Sequence, residues 1–467
     1  MNLSHLYRRG GLVSVILSLV GTPLSLAAQE ASPRDTLRLS LGEAVARALQ
    51  ESEEIQVARA QVDQAASQIT QATAAALPHL SANFTYNRTV KSIFDDVQFF
   101  PEDDTTSADG DGGIADLPFG RPNTYFTSLQ LTQLLWAGGS VGAARRAATL
   151  FRSASENRLA EIGSDIVLRV RTAYLNAVAA RRLHEIAVQS QQVALGHLRQ
   201  VESFRQAGTG SEFDLLRARV DYENRNPAVV QTDNAAQLAL LELKRLVNVP
   251  ADQPLELTTR GGIEMVEVDE AVLAQMVMDR PALRAAQEAI GMREAAVHVY
   301  QAQRWPSVSL LGNLGFQAFP NRVTPPGFDK WRKDWYVALG VSWNLFNGFQ
   351  TKGQIAEARA QLRQARVEEV QLREALEIQL EAGLADYRMA LAQLEARQET
   401  VTLAERAHEL AESRFASGLS TQLEVSDAAL LLDEARVNQV QAMYDYVKAL
   451  AQLERLSGGR LQLLRIQ

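Results

Sequence analysis

At about 150 residues per domain, a chain of 467 residues is expected to hold about three domains, and 46% apolar with 22% charged residues excludes disorder. The absence of cysteine removes disulfides, thiolate metal sites, cysteine nucleophiles and a lipidated N-terminal cysteine. A formal charge of -8 argues against nucleic acid as a partner. Only 14 prolines occur, and none lies between Pro122 and Pro227 or after Pro326. Proline-free runs of that length point to long helices rather than a string of small domains.

Residues 1–28 read as a secretory signal peptide. Arg8 and Arg9 supply the positive start, Gly11 to Val20 the apolar stretch, and Ser25-Leu26-Ala27 or Leu26-Ala27-Ala28 the small-residue cleavage site. Gly21-Thr22-Pro23 interrupts the stretch too early for a membrane helix, and no later segment is apolar and charge-free enough to be one.

The remainder divides into two structural repeats, 29–249 and 269–467, joined by a connector at 250–268. Gly138, after Leu134-Leu135-Trp136-Ala137, and Gly348, after Asn344-Leu345-Phe346-Asn347, stand 210 residues apart. Gly208-Thr209-Gly210-Ser211-Glu212-Phe213-Asp214 and Gly418-Leu419-Ser420-Thr421-Gln422-Leu423-Glu424 keep the same offset of 210. In the first half an Ala-rich helix over Leu41–Ala76 ends at Pro78, because proline pushes the preceding residue out of the helical region. Pro306 ends its counterpart over Glu270–Gln303.

Strand hairpins follow at 80–136 and 307–346. Leu80, Ala82, Phe84 and Tyr86 alternate with polar residues, and Trp335, Val337, Leu339, Val341, Trp343 and Leu345 form a second apolar file. These runs match the length of a tilted membrane strand. Trp136, Trp305, Trp335 and Trp343 lie at strand regions, where indole favours the boundary between hydrocarbon and water and forms an aromatic girdle. The acidic, glycine-rich segment from Lys91 to Pro122 reads as a solvated loop between the first two strands; it lacks the spacing and terminal Glu of an EF-hand.

Long helices over 138–204 and 348–416 follow, each about 100 Å. Leu159, Ile162, Ile166, Val170, Ala173 and Ala177, and Ile355, Ala358, Leu362 and Ala365, set out the stripe of coiled-coil packing. The chain reverses at Gly208 and Gly418, and returning helices span 211–249 and 420–456, with Asn226-Pro227 expected to kink or break the first. Four strands cannot close a barrel, so copies must combine: two would give eight strands, three would give twelve and room for an aqueous lumen.

In this order of elements, and in the Gly208 and Gly418 turns and the Gly138 and Gly348 junctions, the chain resembles the TolC-like outer membrane efflux proteins from Leu39 to about Gly458. The resemblance implies a mainly α fold with a membrane β-barrel: a homotrimer with a twelve-stranded barrel in the outer membrane lipid, continued by a helical α-barrel across the periplasm. It implies an exit duct served by a periplasmic adaptor and an inner-membrane RND or ABC transporter, with no enzymatic activity and no cofactor. The rival reading is a secreted coiled-coil scaffold or adhesin without a pore.

No motif argues for catalysis. His184-Glu185 and His408-Glu409 start like a zinc-protease motif, but Val188 and Glu412 stand where the second histidine belongs, so both read as surface helix residues. Glu424 and Asp427 lie three apart, on one helix face. Facing inward in a trimer they form two carboxylate rings, each pair repelling by about 2 kcal/mol at 8 Å, which raises their pKa values and attracts cations. The resemblance puts the periplasmic constriction at these two acids and adaptor docking at Gly208, Thr209, Gly210, Gly418 and Leu419. Some members lock the closed tip with a tyrosine and an arginine tied to an aspartate. The aspartate is kept as Asp214, whereas Phe415 and Ser420 occupy the other two positions.

Overall fold

The computed structural model describes residues 36–91, 121–259 and 265–461. The signal peptide and most of the acidic loop expected between the first strands lie outside them. In chain order the elements are β1 (Leu37–Leu39), α1 (Leu41–Glu51), α2 (Glu53–Ala74), β2 (His79–Arg88), β3 (Asn123–Trp136), α3 (Ser140–Gln206) and α4 (Glu212–Leu246). They continue with β4 (Leu255–Leu257), α5 (Glu270–Met278), α6 (Pro281–Ala302), β5 (Ser307–Ala318), β6 (Arg332–Ser342), α7 (Gln350–Ala416) and α8 (Gln422–Leu456).

The helices α3 and α7 each contain 67 residues, about 100 Å of continuous helix, and α4 and α8 each return over 35. Each helix lies where apolar residues recur at three and four. Ile166, Val170 and Ala177 of α3 pack with Ala44 and Ala48 of α1 and Leu243 of α4, while Leu380, Leu384 and Tyr387 of α7 pack with Tyr446, Leu450 and Leu453 of α8. Two buried tyrosines tie in the connecting segments. The Tyr174 hydroxyl donates to the Leu39 carbonyl at 3.1 Å, and that of Tyr387 to the Val266 carbonyl at 2.7 Å. Among the described residues no helix is long and apolar enough to cross a membrane.

Three expectations are corrected. The Ala-rich stretches are not single helices. The first breaks at Ser52, whose extended ψ of 129° starts α2 afresh, and the second at Arg280, held extended by the proline that opens α6. Of the kink or break expected at Asn226-Pro227, the break is absent, since α4 runs on through Pro227. Glu223 and Pro227 are both exposed, so water can take the carbonyl that proline leaves without a partner. Finally, β6 ends at Ser342, leaving Trp343 and Leu345 beyond the ladder. A small parallel pair at mid-helix, β1 with β4, is too short to show in sequence as an alternation.

The large sheet is antiparallel in the order β2-β3-β5-β6. Register places Ala82, Leu129, Leu314 and Trp335 in one row, and Leu80, Leu131, Gly312 and Val337 in the next. The opposite face carries Asn83, Ser128, Gly315 and Asp334, then Ser81, Gln130, Asn313 and Tyr336. Strands of 10 to 14 residues with one apolar and one polar face suit a wall between lipid and water. All four meet their helices at the same end, and among the described residues no strand pairs with the outer edge of β2 or β6.

The turn from β3 into α3 uses two left-handed residues, Gly138 (φ 60°) and Gly139 (φ 84°). A Cβ on Gly138 would lie 2.8 Å from the Ala302 carbonyl oxygen, whereas nothing stands within 4 Å of one on Gly139. Both Gly→Ala changes carry the left-handed penalty of about 1–2 kcal/mol. Gly138→Ala is expected to lower the thermal midpoint clearly more than Gly139→Ala; equal losses in a melting comparison would refute close packing at this junction.

Candidate functional site

The helical end opposite the sheet holds the two chain reversals. Gly208 (φ 77°) and Gly418 (φ 68°) each close a helix in the left-handed conformation. Thr209 N donates to the Phe204 carbonyl at 3.0 Å and Gly208 N to that of Arg205 at 2.9 Å. Leu419 N and Gly418 N repeat the pair on Arg414 and Phe415 at 2.9 and 3.0 Å. This is the Schellman arrangement, which only a residue tolerant of positive φ can complete. Gly210 has backbone tightly against it, with Arg205 N 2.7 Å from a built Cβ. Thr209 is exposed, and Leu419 and Phe213 are 72% and 69% exposed, so apolar surface is displayed at this end.

Ser211 and Thr421 cap the returning helices, accepting from Phe213 N at 3.1 Å and Glu424 N at 3.4 Å. Glu424 and Asp427 are exposed one turn apart, away from the packed positions Val425, Ala429 and Leu432. The Ser420 hydroxyl donates to Glu424 Oε2 at 2.8 Å. That bond, followed by the Thr421 amide and the Arg414 charge, holds the Glu424 carboxyl below its ordinary value. Within one protomer the pull is therefore opposite to the upward shift expected of a carboxylate ring, because the capping hydrogen bonds favour the ionised form. Asp214 is half-buried in the first turn of α4. Among the described residues the side chains of Asp214 and Asp427 have no hydrogen bond or ion pair.

Phe415 does have a partner. Its ring meets Phe204 edge-on, with centroids 6.1 Å apart, joining the α7–α8 reversal to the α3–α4 reversal. Farther from the turns, His197 of α3 lies 3.9 Å from Glu412 of α7, and His408 approaches the same carboxylate at 3.3 Å. The side chains of His197 and His408 are only 16% and 13% exposed. His408 is thus not a surface residue as the sequence pattern suggested, but part of the seam between the hairpins. His184 is likewise half-buried, 3.3 Å from Thr232 of α4. Higher still, Asp433 of α8 receives Ser190 of α3 at 2.5 Å and Arg225 of α4 at 2.6 Å. Nothing local in the sequence marks the His197–Glu412, Ser190–Asp433 and Arg225–Asp433 pairs, whose members lie more than 200 residues apart. Among the described residues no group of three or more His, Asp or Glu is arranged to hold a metal ion.

At the sheet, tryptophans sit at both ends. Trp136, Trp305 and Trp343 lie near the helices, 45%, 63% and 58% exposed, with Trp343 Nε1 donating to the Arg304 carbonyl at 3.1 Å. Trp335, 70% exposed, lies toward the far end. There Trp331 packs beside Phe328 and Tyr125.

The family profile described as outer membrane efflux protein matches residues 44–249 and 272–459. The pyoverdine export outer membrane protein OpmQ of Pseudomonas aeruginosa is 25% identical over 425 residues, covering 89% of this chain and 84% of OpmQ. In fold, the CmeC outer membrane channel of Campylobacter jejuni is similar with a TM-score of 0.74 at 18% identity, over 91% of this chain and 86% of that one. The outer membrane protein VceC of Vibrio cholerae gives 0.71 at 20% identity, over 90% and 96%.

Burial, reinforced by His408 and Arg225, lowers the pKa of His197 below the ordinary 6.5, against the opposing pull of Glu412 and Asp221. A histidine with a depressed pKa contributes stability that is complete above the ordinary value and is lost as pH falls below it. Unfolding midpoints of the full-length protein at about pH 7.5 and 5.5 are expected to differ less in His197→Gln than in wild type. An equal difference would assign the acid sensitivity elsewhere.

Proposed function

The chain belongs to the outer membrane efflux protein family, and from that premise we propose that it is the outer-membrane exit duct of a tripartite efflux or secretion assembly. In this reading three copies form a twelve-stranded barrel, and their helices, each chain an internal two-fold repeat, continue it as a tunnel across the periplasm. The duct conducts passively from periplasm to exterior. A periplasmic adaptor docks on the Gly208–Gly210 and Gly418–Leu419 turns, and an inner-membrane RND or ABC transporter supplies the energy.

The observation that carries this reading is the four-stranded sheet, apolar on one face, polar on the other and unpaired at both edges, set on the end of 100 Å helices. Unpaired edges are not tolerated in hydrocarbon. Eight strands would fill with their own side chains, whereas twelve leave an aqueous lumen behind the polar face. The helices support assembly independently. Along α7, Val367, Ile378, Met389, Leu403 and Leu410 are 50–70% exposed and recur at 11, 11, 14 and 7 residues, intervals that return to one helix face. Such a stripe calls for a neighbouring helix, and at its turn-proximal end, Leu403 and Leu410, the exposed apolar residues Leu216, Val220 and Val230 of α4 in a second copy lie at a matching height.

We place the constriction at Glu424 and Asp427, whose carboxylates point away from the packed face of α8. In the trimer, repulsion between rings opposes the downward pull of Ser420 on Glu424. Purified protein in a planar bilayer is expected to give cation-selective single-channel conductance; folded, inserted protein that passes no current would sink the duct reading. In Glu424→Ala with Asp427→Ala, cation-over-anion permeability is expected to fall several-fold, and unchanged selectivity would move the constriction elsewhere.

A further inference from the structure

We propose that Asp433, Arg225 and Ser190 form the latch that holds the α7–α8 hairpin against the α3–α4 hairpin and so sets the width of the tip. The inference rests on the duct reading but concerns different residues from the constriction.

One carboxylate is gripped by both helices of the other hairpin. Ser190 Oγ of α3 donates to Asp433 Oδ2 at 2.5 Å, and Arg225 Nη1 of α4 donates to the same oxygen at 2.6 Å. Arg225 also donates to Ser190 Oγ and lies 3.4 Å from Asp221. The side chains of Arg225 and Asp433 are 15% and 22% exposed, so water and salt screen the pair weakly. When the hairpins part, Asp433 loses both of its charge-assisted bonds together, while Arg225 keeps Ser190 and Asp221 within its own hairpin.

Its position gives it leverage. Nearer the sheet, the α3–α8 seam is held by Arg171 with Glu454 and by Arg455 with Asp165 at 2.5 Å, with Arg280 and Glu161 adding a tie from α3 to the start of α6. The latch lies below these, about 20 Å above the turns, since Arg225 follows the Ser211 cap by 14 residues and Asp433 follows Thr421 by 12. Between it and the turns, the ionic and ring contacts that join the two hairpins among the described residues are the histidine–Glu412 station and the Phe204–Phe415 ring pair. Arg225 also immediately precedes Asn226-Pro227, where the backbone of α4 lacks one helical hydrogen bond. The segment beneath the proline is the part of α4 most easily redirected, and the latch fixes its direction at that point.

The test uses full-length protein in planar bilayers. Asp433→Asn and Arg225→Gln are expected to raise mean single-channel conductance several-fold, Ser190→Ala to raise it less, and the charge swap Arg225→Asp with Asp433→Arg to return it toward wild type. Singles that conduct like wild type, or a swap no better than the singles, would overturn the latch. Because the chain has no cysteine, spin labels on Ser203→Cys and Ser413→Cys report hairpin spacing without any current. That spacing should widen in Asp433→Asn, and an unchanged distance also overturns the proposal. Wild-type protein that inserts and never conducts would instead count against the duct reading.

Discussion

Backbone amides and carbonyls must be hydrogen-bonded wherever water is excluded, and the four-stranded sheet satisfies this only between its own strands. The outer ladders of β2 and β6 end in rows of unpaired groups, each costing several kcal/mol in hydrocarbon. The apolar face of the sheet therefore makes sense only if another sheet completes it. Everything else is arranged around that requirement: the four strands leave the helices at one end, and α7 carries an apolar stripe along the side where a second copy would lie. In the proposed assembly, closure of the sheet and closure of the helical tube would be a single event.

The contacts between the two hairpins change character along their length. Near mid-helix, buried ion pairs join α3 to α8 and to the start of α6, and tyrosine hydroxyls hold the connecting segments. Toward the turns the contacts become fewer and more responsive: an ion pair with a serine, two half-buried histidines on one carboxylate, and a pair of rings. Stability graded in this way is what a body needs if one end is to stay assembled while the other moves. The polar contacts are the ones that substitutions and pH can address; the ring pair adds only shape and apolar area.

Periodicity carried most of the fold. Long runs at three and four mark helices, and strict alternation marks strands, so the order of large elements was legible from residues such as Ile166, Val170, Trp335 and Val337. The misses have local causes. Ser52 breaks a helix through a single extended residue, which no pattern announces, and Pro227 leaves α4 whole at an exposed site, where water can serve the Glu223 carbonyl it leaves without a donor. The candidate site was legible in part. Gly208 and Gly418 declare their turns by needing positive φ, and the spacing of Glu424 and Asp427 declares a face. Ser190, Arg225, Asp433 and His197 carried no such mark, because a contact between distant segments has no sequence period. The direction of the Glu424 shift was missed for a related reason: the ring argument considered neighbours in other copies, while the nearest donor, Ser420, lies four residues away.

The equal lengths of α3 and α7, 67 residues each, have a consequence for how such a chain can change over time. The two reversals sit at one level only because the hairpins match, so lengthening one alone would push its turn past the other and pull the seam out of register. A viable change in reach has to occur in both halves at once, and on all four helical limbs, in steps of seven or eleven residues that keep the same faces inward. The span of the molecule is thus a quantised trait, altered by paired duplications and deletions rather than by gradual drift.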